Sequence, residues 1–206
     1  MIAIMALSLL PFFIVMATAF TKIAIVLTLV RNAIGVQQAP SGMLINALAL
    51  SLTIFIMMPV GDEIIKQIGD QNITDGSWQS ISKIYAIIST VFSKYLSRFS
   101  SERELTFFMD AAQQLWPASL QDHVSRDSIL ILLPSHATSE LTRAFEIAFV
   151  LFLPFAVVDI VVANVLLAMG AMMVPPMLIS LPIKILLFVA VDGWSLLLHN
   201  LIISYT

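Results

Sequence analysis

Long apolar segments are the feature of this sequence that most restricts its fold. Four stretches of about 20 residues or more carry almost no charge, and a helix needs about that many residues to cross a hydrocarbon core of about 30 Å. The chain of 206 residues is 59% hydrophobic and only 11% charged, with a mean hydropathy of +0.98. Soluble domains carry about 25% charged residues. We therefore expect lipid, or a large apolar partner surface, to cover these segments.

The segments predict an all-α integral membrane protein built from two helical hairpins. The predicted spans cover about residues 4–30, 43–60, 144–169 and 178–203. They divide the chain into a first hairpin (1–60), a polar helical middle region (61–139) and a second hairpin with a methionine-rich turn (140–206). The triplet Ala17-Thr18-Ala19 resembles a signal-peptidase site. No basic segment precedes it and the apolar run continues beyond it, so we expect a retained membrane helix.

The middle region contains two helical patterns. Apolar residues recur at three- and four-residue spacings over 77–99, which is typical of an amphipathic helix. Ser101 is a candidate N-cap for a second helix that runs to about residue 115. We predict loops at 72–77 and 117–128. Arg31 in the short first loop favours a cytoplasmic position for that loop.

Four charged residues lie within the apolar spans: Lys22, Asp159, Lys184 and Asp192. A charge at the bilayer centre costs about 2.5 to 3.5 kcal/mol on insertion scales. Opposite signs favour pairing between helices or subunits, and the alternative is a set of charges along a transport pathway. Eight residues separate Lys184 from Asp192, so on one continuous helix their side chains would project about 80° apart.

The same charges raise two alternative functions. A small-solute transporter would use Lys22, Asp159 or Asp192 as ion-coupling sites. An intramembrane aspartyl protease would pair Asp159 with Asp192, but Val191 stands where such enzymes carry a glycine. The chain has no cysteine, its histidines (His123, His136 and His199) are dispersed, and no catalytic or phosphate-binding motif is present. We expect no enzyme activity, no cofactor, no metal and no nucleic-acid partner.

Methionines cluster at the turn between the last two spans, at Met169, Met172, Met173 and Met177. Prolines follow at 175 and 176 and break the helix. Methionine adapts to irregular apolar surfaces, so one interpretation is gap filling against neighbouring helices. If several copies surround an axis, these side chains would instead form a deformable constriction that gates a pore by excluding water.

Ordered motifs in both hairpins resemble the FliP/SctR family, which includes YscR and SpaP, of flagellar and virulence type III export proteins. In the first hairpin they are Pro11-Phe12-Phe13, Thr21-Lys22-Ile23 and the run from Leu29 to Pro40. In the second they are Ser139-Glu140-Leu141, Leu153-Pro154-Phe155, Val158-Asp159, Met172-Met173-Val174-Pro175-Pro176, Ser180-Leu181-Pro182-Ile183-Lys184 and Val189-Ala190-Val191-Asp192-Gly193-Trp194.

This resemblance implies a core component of the type III secretion export gate in the bacterial inner membrane. Family members form a homopentamer that joins SctS-like and SctT-like proteins in a cone-shaped pore for unfolded protein substrates, with region 61–139 in the periplasm. The resemblance assigns Met169, Met172 and Met173 to the pore gasket, with Ala171 in place of its usual third methionine. It also assigns Glu140 and Lys184 to a salt bridge between subunits. The short segment before the first span favours the injectisome branch.

Overall fold

The computed structural model describes residues 2–36, 39–71 and 78–206. Every regular element within these ranges is helical, so the predicted all-α class is confirmed. The elements are α1 (Ile2–Ala17), α2 (Phe20–Ile34), α3 (Gly42–Asp70), α4 (Trp78–Phe99), α5 (Glu102–Leu115), a 3₁₀ helix (Ala118–His123), α6 (Ile129–Ala168), α7 (Met177–Ala190) and α8 (Gly193–Ile203).

The predicted span at residues 4–30 is not one helix. It is broken between α1 and α2, where the Thr18 hydroxyl accepts a hydrogen bond from the Phe20 backbone N–H at 3.4 Å. Threonine is well suited to this position, because its side chain satisfies an amide that has no partner in the first turn of a helix. The triplet that resembles a signal-peptidase site is therefore a helix break.

Two further spans differ from their predicted limits. The span at residues 178–203 is divided into α7 and α8, which are bent by 59° relative to each other. The span at 144–169 is the second half of α6, which begins at Ile129 and has 40 residues. At 1.5 Å per residue, α6 is about 60 Å long, twice the thickness of a hydrocarbon core. Its first part therefore continues beyond the segment that hydropathy alone identifies.

Length and hydropathy together identify the helices that are able to cross a membrane. Among the described residues, α3 and α6 are each long and apolar enough, and up to four spans exist if each broken pair counts as one. The predicted membrane hairpins are therefore consistent with the structure.

The helices of the middle region follow the sequence prediction closely. α4 matches the amphipathic pattern, and Ser101 is the N-cap of α5, where its hydroxyl accepts a hydrogen bond from the Glu104 N–H. Glu102 and Glu104 lie in the first turn of α5, where acidic side chains are favourable. The predicted loop at 117–128 contains the 3₁₀ helix, a correction, and the predicted loop at 72–77 lies outside the described residues.

The chain divides into two compact units. The first unit contains Met1–Thr21 and Thr53–Thr142, and its core includes Leu96, Ile131 and Leu132. The second unit contains Lys22–Leu52 and Arg143–Thr206, and its core includes Ile23, Leu27 and Leu201. The division at residues 60 and 139 stays a prediction, and both of these boundaries fall inside continuous helices, α3 and α6.

Candidate functional site

The methionine-rich turn is a compact and well-defined structure. α6 ends in a Schellman motif, in which the Ala171 N–H donates to the Leu166 carbonyl at 2.9 Å and the Gly170 N–H donates to the Leu167 carbonyl at 3.1 Å. This motif needs a residue with positive φ, and Gly170 provides it at 71°. A β-turn follows, closed by a 3.2 Å hydrogen bond from the Val174 N–H to the Ala171 carbonyl.

Met172 and Met173 occupy the two central positions of this β-turn, and we call these two residues the methionine tip. Met173 is 97% exposed and Met172 is 78% exposed. Met169, at the end of α6, is also exposed. A soluble surface rarely leaves neighbouring large apolar side chains uncovered without a binding function. The tip is therefore a hydrogen-bonded turn with two exposed, flexible apolar side chains, and neither side chain is packed inside the single chain.

Lys184 and Asp159 form an ion pair within one chain. The Lys184 Nζ donates to the Asp159 Oδ2 at 2.6 Å and to the Ala33 carbonyl at 3.2 Å. The lysine side chain is 8% exposed and the aspartate side chain is 46% exposed. The pair therefore joins α6 to α7 and also satisfies a carbonyl near the end of α2. Of the three acids that the sequence offers to Lys184 (Glu140, Asp159 and Asp192), Asp159 is the one that it contacts in the single chain.

Glu140 is fully buried in the first unit. It lies near Tyr95 of α4: burial raises the pKa of the Tyr95 phenol, and the negative charge of Glu140 raises it further. The predicted salt bridge between Glu140 of one subunit and Lys184 of another stays a prediction. In the single chain, Asp159 and Ala33 already provide partners for Lys184.

Lys22 contacts the ring of Tyr205, a contact that the sequence did not predict. Lys22 is only 1% exposed, and its Nζ lies 3.6 Å from the centre of the Tyr205 ring. A cation over an aromatic face is attracted by the ring quadrupole, most strongly where water is excluded. Tyr205 lies far from Lys22 along the chain, so no spacing in the sequence indicates this contact.

Asp192 lies at the bend between α7 and α8, not inside a helix. It adopts left-handed backbone angles, with φ at 50° and ψ at 47°, and precedes α8. The angle of about 80° predicted between the side chains of Lys184 and Asp192 is therefore wrong. It assumed one continuous helix, whereas α7 ends at Ala190. The Phe188 ring contacts the Trp194 ring edge-on at 5.2 Å and packs against Gly193.

Groups of three or more His, Asp or Glu side chains that would hold a metal ion do not occur within the described residues. His136 is fully buried, with its ring centre 5.6 Å from that of Tyr95. His136, like Phe188 and Tyr205, was not among the residues selected from the sequence. A lone histidine or aromatic residue in an apolar context has no distinguishing pattern.

Comparison with known proteins gives consistent similarities over nearly the whole chain. The model of the FliP family matches residues 3–201. The chain is 46% identical over 204 residues to "Yop proteins translocation protein R" of Yersinia pestis, covering 99% of this chain and 94% of that protein. It is 43% identical over 213 residues to "Surface presentation of antigens protein SpaP" of Salmonella typhi, covering 100% and 95%. It is 40% identical over 203 residues to "Hypersensitivity response secretion protein HrcR" of Ralstonia nicotianae, covering 97% and 93%.

Proposed function

The chain belongs to the FliP family, and from this premise we propose that it is a core component of the export gate of a bacterial type III secretion system. The names of its relatives refer to protein translocation and to secretion. The apolar helices support a multi-pass location in the inner membrane. The proposed cargo is unfolded protein, which crosses the membrane through the gate.

The observation that carries this proposal is the methionine tip. Met172 and Met173 are held at the apex of a hydrogen-bonded β-turn, and both side chains are exposed. In a homopentamer, five such tips around one axis would form an apolar ring. A ring of this kind excludes water and ions when closed, because a narrow apolar constriction is not wetted.

The flexibility of methionine makes the same ring able to open. Its unbranched side chain has three rotatable bonds and adapts to irregular partners. An unfolded polypeptide of any sequence would displace the thioethers and remain in contact with them. Branched or aromatic side chains would close the pore equally well but would adapt less to varied cargo. Met169 is the proposed third contributor, since it is exposed at the base of the same turn.

The proposed partners follow from the exposed apolar surface. Both units expose large apolar side chains, such as Phe55 in the first and Phe149 in the second. Further copies of this chain, SctS-like and SctT-like gate proteins and lipid would cover them. The region 61–139, which holds most of the charge, would face the periplasm.

The decisive experiment is the ion conductance of the closed gate with both tip residues replaced. We expect Met172→Ala/Met173→Ala to raise conductance, because the alanines leave the constriction wide enough to be wetted. Met58→Ala is the matched control, since Met58 is also an exposed methionine but belongs to α3 and is not part of the turn. Unchanged conductance in an assembled double variant would contradict the proposal.

A charge-exchange series tests the proposed contact between subunits. If Glu140 of one copy pairs with Lys184 of another, Glu140→Lys should prevent ring assembly and Glu140→Lys/Lys184→Glu should partly restore it. Exchange within the chain, Asp159→Lys/Lys184→Asp, is the comparison. If only this second exchange restores assembly, the pair between subunits is absent and the ion pair in the single chain is sufficient.

A further inference from the structure

An apolar groove of about 830 Å³ lies within the second unit. Its walls are the middle of α6, the end of α7 and α8, together with Val30 of α2. Residues lining it include Val150, Pro154, Phe188, Leu196 and Leu197. This volume is in the range of sites that bind small molecules, about 300 to 1,000 Å³.

The groove exists because α8 departs from the direction of α7. α6 and α7 pack antiparallel, since Asp159 contacts Lys184 and Phe155, four residues earlier, contacts Phe188, four residues later. α8 then continues at 59° to α7, and the groove is lined by residues on both sides of this bend and by α6. Phe188 and Gly193 fill the apex of the bend, and the groove opens along the residues that follow.

Among the described residues, Glu146 is the one charged residue that lines the groove, and Asn200 is a polar residue that also lines it. Glu146 is exposed and makes no ion pair with any residue of the described chain. It lies near the start of the apolar part of α6, where a membrane boundary is expected. From Glu146 to Phe155 the helix rises about 13.5 Å, close to the depth of one leaflet of a 30 Å hydrocarbon core.

We propose that this groove binds one phospholipid whose headgroup carries an ammonium group, with phosphatidylethanolamine as the representative. An acyl chain would lie along Val150, Pro154 and Leu197, and the ammonium group would lie at the Glu146 carboxylate. The carboxylate disfavours a lipid whose headgroup is only anionic.

Native mass spectrometry of the full-length chain, extracted in mild detergent, tests this assignment. The purified protein is titrated with palmitoyl-oleoyl phosphatidylethanolamine or with phosphatidylglycerol that carries the same acyl chains. We expect one molecule of the first lipid to bind per chain, in preference to the second. Glu146→Gln should reduce that preference about two- to fivefold, the range of a partly exposed ion pair, while leaving acyl binding intact.

A groove-filling variant tests the position of the lipid. Val150→Trp adds an indole to an exposed position in the lining and should abolish binding. Val157→Trp is the matched control, because Val157 is exposed on the same helix but does not line the groove. The inference is overturned if no lipid binds, if both tryptophan variants bind lipid equally, or if a photo-crosslinker at residue 150 captures a second copy of the chain and no lipid.

Discussion

The ring of Phe188 lies so close to Gly193 that a β-carbon at residue 193 would be 2.4 Å from two of its ring carbons. The ring is buried and is held on its other sides by Phe155 and by Trp194. It therefore has little room to move, and the bend between α7 and α8 depends on the absence of a side chain at residue 193.

Gly193→Ala should destabilise the second unit. Alanine favours the helical conformation that α8 requires, so any loss of stability comes from the contact with Phe188. Overpacking of this kind costs about 1 to 3 kcal/mol. We expect a lower apparent melting temperature of the protein in detergent.

Two further variants distinguish the contact from a general effect of glycine replacement. Gly61→Ala places a β-carbon where no atom lies within 4 Å and should not lower the melting temperature. Phe188→Leu, added to Gly193→Ala, should recover part of the loss. Equal melting temperatures for Gly193→Ala and the unmodified protein would show that the ring moves aside freely.

The ion pair of Lys184 and Asp159 predicts an asymmetric response to mutation. Asp159→Ala removes the carboxylate partner of the buried Lys184 ammonium group, and of its two partners in the structure the Ala33 carbonyl remains. Lys184→Met leaves a carboxylate that is half exposed, and methionine retains the apolar volume. Asp159→Ala should therefore be the more destabilising, by about 1 to 3 kcal/mol. Thermal unfolding of both variants in the same detergent measures this difference, and equal losses would contradict it.

Tyr95 predicts a loss of stability at alkaline pH. Its folded-state pKa is raised by burial and by Glu140, whereas an unfolded tyrosine titrates at about 10. The unfolded chain therefore releases the phenolic proton first. The contribution of Tyr95 is fully present below pH 10 and is lost as the pH rises above it.

Tyr95→Phe is the variant that isolates this effect. Between pH 9 and pH 11 the melting temperature of the unmodified protein should fall more steeply than that of the variant. The Tyr95 hydroxyl is buried and makes no hydrogen bond to a described residue, so its removal should not destabilise the protein at pH 7. Parallel curves for the two proteins would exclude Tyr95 as the titrating group.

The sequence predicts the elements whose causes are local. The amphipathic period of α4 and the Ser101 cap of α5 are short-range signals, and both elements are found where they were predicted. Hydropathy also identifies the apolar segments, because it depends only on composition within a window. These signals determine the class of the protein and most of its helices.

The breaks and the long-range contacts have no such local signal. The helix breaks at Thr18, where neither glycine nor proline is present, and Asp192 adopts positive φ although it is not glycine. Selection of Asp159 over Asp192 by Lys184 depends on the antiparallel register of α6 and α7. That register is fixed by the Gly170 Schellman motif and the turn after it, and the chain folds back there before the two charges meet.

Replacing the methionine tip should change the conductance of the closed gate without changing the stability of the chain. Met172 and Met173 are exposed, so replacing both with alanine removes little packing within the chain and should change the free energy of unfolding by no more than about 0.5 kcal/mol. The same variant is expected to raise conductance of the closed gate. A large loss of thermal stability would show instead that the methionines serve the fold.

The contact of Lys22 with Tyr205 predicts that the Tyr205 ring stabilises the second unit. The ammonium group is almost completely buried, and a desolvated cation over an aromatic ring contributes about 2 kcal/mol. Tyr205→Leu should lower the melting temperature, because leucine fills part of the space but has no π-system. Tyr205→Phe retains the ring and should preserve most of the stability, and Tyr85→Leu, at an exposed position on α4, should have little effect. If Tyr205→Phe and Tyr205→Leu are equally destabilising, the ring face is not what stabilises Lys22, and the buried charge must depend on its other contacts.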